Sequence, residues 1–192
     1  MKFTEVARRC SPDEMTNSAS RSFERITTAD LRRLSMLALA DFDSLFHRYE
    51  RWRPYQGRLI LICLCQGAAL HYVRSRKGVT SDRQGGINDF DVWGFFRHRT
   101  NDRPFPPRRH GRQDFGPSKF GRNPNEEARF SGRRVDVLGR SIEKQRSETT
   151  IEAVQRYLRR PPTQSARRLA ERPVVVLWPS AWRGRVIWKG AA

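Results

Sequence analysis

The chain has 192 residues, of which 37% are apolar and 30% charged, enough for one domain with its own core and no disulfide or metal staple. Lys and Arg number 38 against 20 Asp and Glu, a formal net charge of +18 that would draw in nucleotides, RNA, DNA or another polyanion. No apolar run reaches the roughly 18 residues of a membrane span and the first residues carry no apolar signal core, so no membrane partner is expected. Three cysteines make neither a disulfide framework nor a four-ligand zinc set, and a cytoplasmic protein is expected. Of the basic residues 33 are Arg, the better fork for phosphate, although arginine-rich coding would produce the same count.

In chain order, residues 1–26 are polar and irregular and read as a flexible arm or short cap. Residues 27–192 read as a single domain. Thr27 with Asp30 forms a capping box, and Leu31, Leu34, Ala38, Phe42, Leu45 and Tyr49 recur at helical spacing until Pro54 ends the helix near Trp52. The run Leu59 to Cys65 is apolar on both faces, as in a covered central strand. It runs into a tight turn at Gln66-Gly67-Ala68 that opens a helix through His71, Tyr72 and Val73. After a polar loop, Ile87 to Phe96 alternates like a strand, with Asp89 and Asp91 on one face.

Residues 97–132 form the longest irregular stretch, with nine basic side chains against four acidic ones and no long apolar stripe. A loop of that length is usually functional or disordered, and this one is expected to be mobile alone and to order over bound phosphate. Within it, Lys119 and Arg122 sit in a glycine-punctuated segment that could close on a triphosphate or on RNA, or serve ordinary loop chemistry. A strand at Arg134 to Leu138 carries Asp136 between valines. Thr149 with Glu152 caps a helix through Ile151, Val154, Tyr157 and Leu158, Pro161-Pro162 stops it, and Thr163 caps another short one. The strand Val174 to Trp178 ends at Pro179, and Arg185 to Trp188 pairs with it as an antiparallel edge. This order implies an α/β (α+β) plan, a mixed β-sheet with packed helices.

Asp89, Asp91 and Asp136 are the sharpest chemical signal. Like charges in apolar strands are costly unless a divalent cation, or an arginine between them, relieves the repulsion. If the strands lie side by side, three carboxylates converge, as a two-metal phosphoryl-transfer site requires. The structural alternative puts Asp89 and Asp91 at a solvated strand end and pairs Asp136 with Arg133 or Arg134. His71, beside Tyr72, reads as packing more than as a phosphate contact, and His98 and His110 lack partners at metal-ligand spacing. Cys63 and Cys65 alternate on an apolar strand as inert core residues. Trp93, Trp178 and Trp188 most simply fill the core, although aromatic rings also stack on bases.

An apolar strand, a Gly turn opening a helix (Gly67-Ala68), an Asp-x-Asp strand (Asp89-Phe90-Asp91) and a third Asp on a later strand (Asp136) together resemble the DNA-polymerase-beta-like nucleotidyltransferase superfamily. The resemblance covers roughly residues 31–140, and the helices after Thr149 would complete a minimal catalytic domain. It implies Mg²⁺ or Mn²⁺ held by Asp89, Asp91 and Asp136, and an NTP, ATP first among them, as substrate. Asp136 would orient or activate the acceptor hydroxyl, and the backbone at Gly67 and Ala68 would approach the phosphates. Two departures stand out: Ala68 replaces the family's Ser, and Gly67 lies farther ahead of Asp89 than is usual there. The different-class alternative is a non-catalytic nucleotide- or nucleic-acid-binding module on the same fold.

Overall fold

The computed structural model describes residues 21–78, 86–98, 105 and 110–191. Thr27 accepts a bond from the Asp30 amide while the Asp30 carboxylate accepts from the Thr27 amide, so both predicted partners cap α1 (Thr28–Arg48). The apolar stripe Leu31, Leu34, Ala38, Phe42 and Leu45 is buried, as its spacing predicted. Tyr49 is not part of it: the helix stops at Arg48, Tyr49 caps it from an exposed position, and Pro54 lies inside a short 3-10 turn, Glu50–Tyr55. β1 (Leu59–Cys65) follows and passes directly into α2 (Gln66–Arg76).

The remaining elements are β2 (Phe90–Arg97), β3 (His110–Asp114), β4 (Arg134–Ile142), α3 (Thr150–Arg159), α4 (Gln164–Ala170), β5 (Val174–Trp178) and β6 (Val186–Trp188). The strands make one six-stranded sheet in the order β3-β4-β2-β1-β5-β6. Only β2 and β4 run parallel; every other pairing is antiparallel. The fold is therefore α+β with a mixed sheet. β1 lies at its centre, which is why its run is apolar on both faces. Among the described residues no helix is long and apolar enough to cross a membrane.

The two faces of the sheet bury different chemistry. On one, α1 and α2 cover a layer rich in rings: Phe96 stacks on Phe105 at 4.3 Å, and Phe42, Phe46, Trp52 and Tyr55 surround the pair. Gly94 and Gly139, in register on β2 and β4, make room for it. A Cβ on Gly94 would lie 2.4 Å from the Phe42 ring, and one on Gly139 would lie 2.1 Å from Phe105. On the other face, α3 and α4 pack Ala153, Val154, Leu158 and Leu169 against Leu61, Cys63, Trp93 and Val176.

The basic segment departs most from its sequence reading. Part of it is a strand, β3, which zips onto β4 as an edge. Phe105, Phe115, Phe120 and Phe130 are buried one at a time, so the lack of a stripe concealed real anchors. The Asp114 carboxylate then closes the neck of the loop. It accepts bonds from the Gly116, Ser131 and Gly132 amides and from the Ser131 hydroxyl, at 2.7–3.0 Å. Burial raises its pKa, but those donors outweigh it and hold the group below its ordinary value. The described part of the segment thus has contacts of its own, the pairing of β3 with β4 and the Asp114 neck. The expected arm at 1–26 falls mostly outside the described residues, but Ser22 exchanges two backbone bonds with Ile87 and anchors its end.

Candidate active site

The three aspartates lie at one end of the sheet, where β1 finishes and β2 and β4 begin. Parallel pairing sets Asp91 opposite Asp136, and antiparallel pairing sets Asp91 opposite Cys65. Neighbouring strands are about 4.8 Å apart and in-register side chains share a face, so Asp91 and Asp136 are side by side on the α3/α4 face. Asp89 falls in the bend just before β2 rather than in the strand itself.

Arg134 binds this group together. Its Nη2 contacts Asp89 at 3.0 Å and its Nε contacts Asp136 at 2.9 Å, while Nη1 reaches Glu126 at 3.3 Å. The pairing of Asp136 with Arg134 that the alternative reading named is therefore present. Asp91 is left as the most strained member: burial first, then the charges of Asp89 and Asp136, raise its carboxyl to about 7, against the weaker pull of Arg134 and Arg172. Burial lowers the Arg134 guanidinium, yet Asp136, Asp89 and Glu126 hold it above its usual range. Among the described residues no group of three or more His, Cys, Asp or Glu side chains is arranged to hold a metal ion. The chemistry of the donors nevertheless suits a hard divalent cation: three carboxylates meet at adjacent strand ends, and one of them is raised by burial and by the charges of the other two.

The acids open onto a cleft of about 590 Å³, within the usual range for a small-ligand site. Asp89, Asp91 and Asn88 line one side; Gln66, Gly67 and Leu70 of α2 line another. Arg168 of α4, Arg172 beyond it and Arg21 supply a cationic wall. Gly67 comes within ordinary contact of Arg172, whose guanidinium lies 3.6 Å from where a Cβ would stand. The residue before it, Gln66, has φ +54°, a left-handed conformation that costs a non-glycine residue about 1–2 kcal/mol. This strained turn aims the first residues of α2 at the cleft, and the Gln66 amide is held by the Arg168 carbonyl at 3.2 Å.

Of the residues singled out from sequence, Asp89, Asp91 and Gly67 line the cleft, and Asp136 joins them through Arg134 and its register with Asp91. Ala68 does not: it points into the ring-rich core. Lys119 is engaged elsewhere, 2.9 Å from Asp30 at the start of α1, and Arg122 donates to the Glu126 carbonyl. Neither lines the cleft. His71 donates from Nε2 to the Glu24 carbonyl at 3.0 Å and is buried, a packing role. Burial drives both the Cys63 and Cys65 thiols up, so they stay protonated and inert.

Arg21, Arg168 and Arg172 escaped the sequence reading because nothing in their local spacing separates them from the other arginines. Arg134 did carry a signal: Arg-Val-Asp on a strand puts opposite charges on one face. No protein-family model, no curated protein and no solved structure matches this chain.

Proposed function

We propose that the chain is an Mg²⁺-dependent nucleotidyltransferase, moving a nucleoside monophosphate from an NTP, ATP foremost, to a hydroxyl acceptor. The observation that carries this reading is the register of Asp91 with Asp136, two carboxylates on parallel strands at the mouth of a cleft walled by arginines. Arg168 and Arg172, with the amides at the start of α2, bind the triphosphate and hold its charge away from the acids. Asp136 orients the acceptor hydroxyl, and its oxygen forms the new bond to the α-phosphorus as the bond to the β-phosphate oxygen breaks and pyrophosphate leaves. Asp89, Asp91 and Asp136 are the residues that would hold Mg²⁺, whose positive charge would offset charge developing on the phosphates and favour passage of the hydroxyl proton to the Asp136 carboxylate. The same reading places the work in the cytoplasm, where NTP and Mg²⁺ are at hand.

One observation favours the non-catalytic alternative, a nucleotide- or nucleic-acid-binding module: Arg134 already neutralises two of the acids, leaving the arginine wall as a plain anion site. Transfer of label from an α-labelled NTP to a panel of hydroxyl acceptors separates the two. Asp136→Asn is expected to lower transfer by about a thousandfold or more while NTP affinity stays within a few fold, since the loss falls on the transition state. Nucleotide binding by wild type with no transfer to any acceptor would decide for the binding module.

A further inference from the structure

The cation at the acid end is a side chain, and its surroundings give it two places to go. We propose that Arg134 is an exchangeable counter-ion, which holds Asp89 and Asp136 when no metal is present and yields both to a divalent cation by moving wholly onto Glu126. This inference rests on the reading of these acids as metal ligands.

Three observations carry it. First, all three guanidinium nitrogens lie against carboxylates: Nη2 hydrogen-bonds to Asp89 and Nη1 to Glu126, while Nε stands by Asp136 as an ion pair and not as a hydrogen bond. The two acids on one side belong to the cleft group, whereas Glu126 stands on the loop behind it and does not line the cleft. Second, Arg134 is the first residue of β4, at the sheet's rim and 23% exposed, so its side chain can turn without breaking the ladder of bonds that fixes Asp136. Third, a single guanidinium cannot satisfy three carboxylates. Asp91 stands in register with Asp136 and lines the cleft beside Asp89, without an ion pair of its own among the described contacts, and a divalent cation placed among the three would offset more of their charge than one guanidinium does.

Glu126 is fitted to receive the displaced guanidinium. Its carboxylate is itself largely buried, 7% exposed, and already bonds Nη1 through either oxygen at 3.3 Å. A rotation of the outer side chain would turn that long contact through one nitrogen into a two-pronged one through two, the geometry at which arginine and carboxylate pair best. The alternative route, loss of the Arg134 proton, is closed, because arginine keeps its charge in water and the surrounding acids reinforce it. Release is thus a movement, driven by whichever cation binds the acids better.

Mn²⁺ alone is the probe, titrated into the full chain and followed by electron paramagnetic resonance of the free ion and by thermal melting. Arg134→Gln is expected to bind Mn²⁺ at least tenfold more tightly than wild type and to gain more melting temperature from it. Arg134→Lys, which keeps a charge but reaches fewer acids, is expected to fall between them, and it serves as the reading if the Gln variant fails to fold. Glu126→Gln, which removes the landing place, is expected to bind several-fold more weakly. Asp136→Asn is the control that should lose the site. If Arg134→Gln and Arg134→Lys bind no more tightly than wild type while Asp136→Asn still abolishes binding, the metal site stands and the counter-ion proposal is overturned. If Glu126→Gln matches wild type, the movement onto Glu126 is overturned. If no variant binds Mn²⁺, the reading of the aspartates as ligands fails, and the proposal with it.

Discussion

Two register pairs on the same two strands, three residues apart, do opposite work. Asp91 stands opposite Asp136 at the start of β2 and β4, and Gly94 stands opposite Gly139 further along. At the glycine pair the absence of two side chains lets Phe42 and Phe105 close on the sheet, and each neighbour gains contact from the arrangement. At the aspartate pair each neighbour is a burden to the other: burial and two like charges raise the Asp91 carboxyl to about 7. The ladder of backbone bonds is continuous through both. The difference teaches that a sheet can carry a destabilising charge pair at its end because the layer a turn away is packed tightly enough to hold the strands in register.

That comparison breaks or sharpens under four measurements. The largest effect on stability belongs to the acids. A folded-state pKa raised from 3.8 to about 7 means that Asp91 contributes stability fully present below about pH 4 and lost as pH rises through about 7. Wild type should therefore lose roughly 4 kcal/mol across that window from this group, and Asp91→Asn should flatten the slope in urea melts at successive pH values. An unchanged slope would mean that Asp91 is not the strained member of the group.

Next comes the glycine pair. Gly139→Ala forces a methyl group into the Phe105 ring and should cost about 2–3 kcal/mol, with no dependence on pH between 4 and 7. A pH-dependent loss there would show that the two pairs are coupled rather than separate. Arg172→Gln should weaken NTP binding by about tenfold, or about 1.4 kcal/mol, while leaving the melting temperature close to wild type; calorimetric titration reads the first and thermal melting the second. An effect of similar size belongs to the loop neck, where Asp114 stands opposite Arg134 on the next strand. Asp114→Ala, which strips the loop neck of its acceptor, should cost about 1–2 kcal/mol and expose residues 115–131 to limited proteolysis without altering NTP affinity.

The legible parts of the molecule were those set by neighbours in the chain. Both capping boxes were readable because Thr27 with Asp30, and Thr149 with Glu152, lie three residues apart and their bonds close within one turn. β1 was readable because a strand covered on both faces needs seven apolar residues in a row. The basic segment was not, since Phe105, Phe115, Phe120 and Phe130 are isolated in sequence and are buried by partners as distant as Phe96 and Phe90. β3 was hidden for the same reason: His-Gly-Arg-Gln-Asp has no strand pattern, and it is a strand only because β4 offers an edge.

For the candidate site, the amino-acid sequence by itself determined that Asp89 and Asp91 lie close together, being two residues apart, and that a strand carries Asp136 between inward valines, because alternation is a property of the local backbone. Which other groups meet them was decided by the tertiary structure alone. The parallel pairing of β2 with β4 is what sets Asp91 against Asp136, and chain separation gives no hint of that register. Arg134 holds Asp89 across 45 residues, and Arg168 at the end of α4 and Arg172 just beyond it reach the cleft from about 80 residues past the Asp-x-Asp strand. One arginine among 33 looks like another in sequence, and only its position in the folded field makes it a counter-ion, a phosphate contact or a solvated charge.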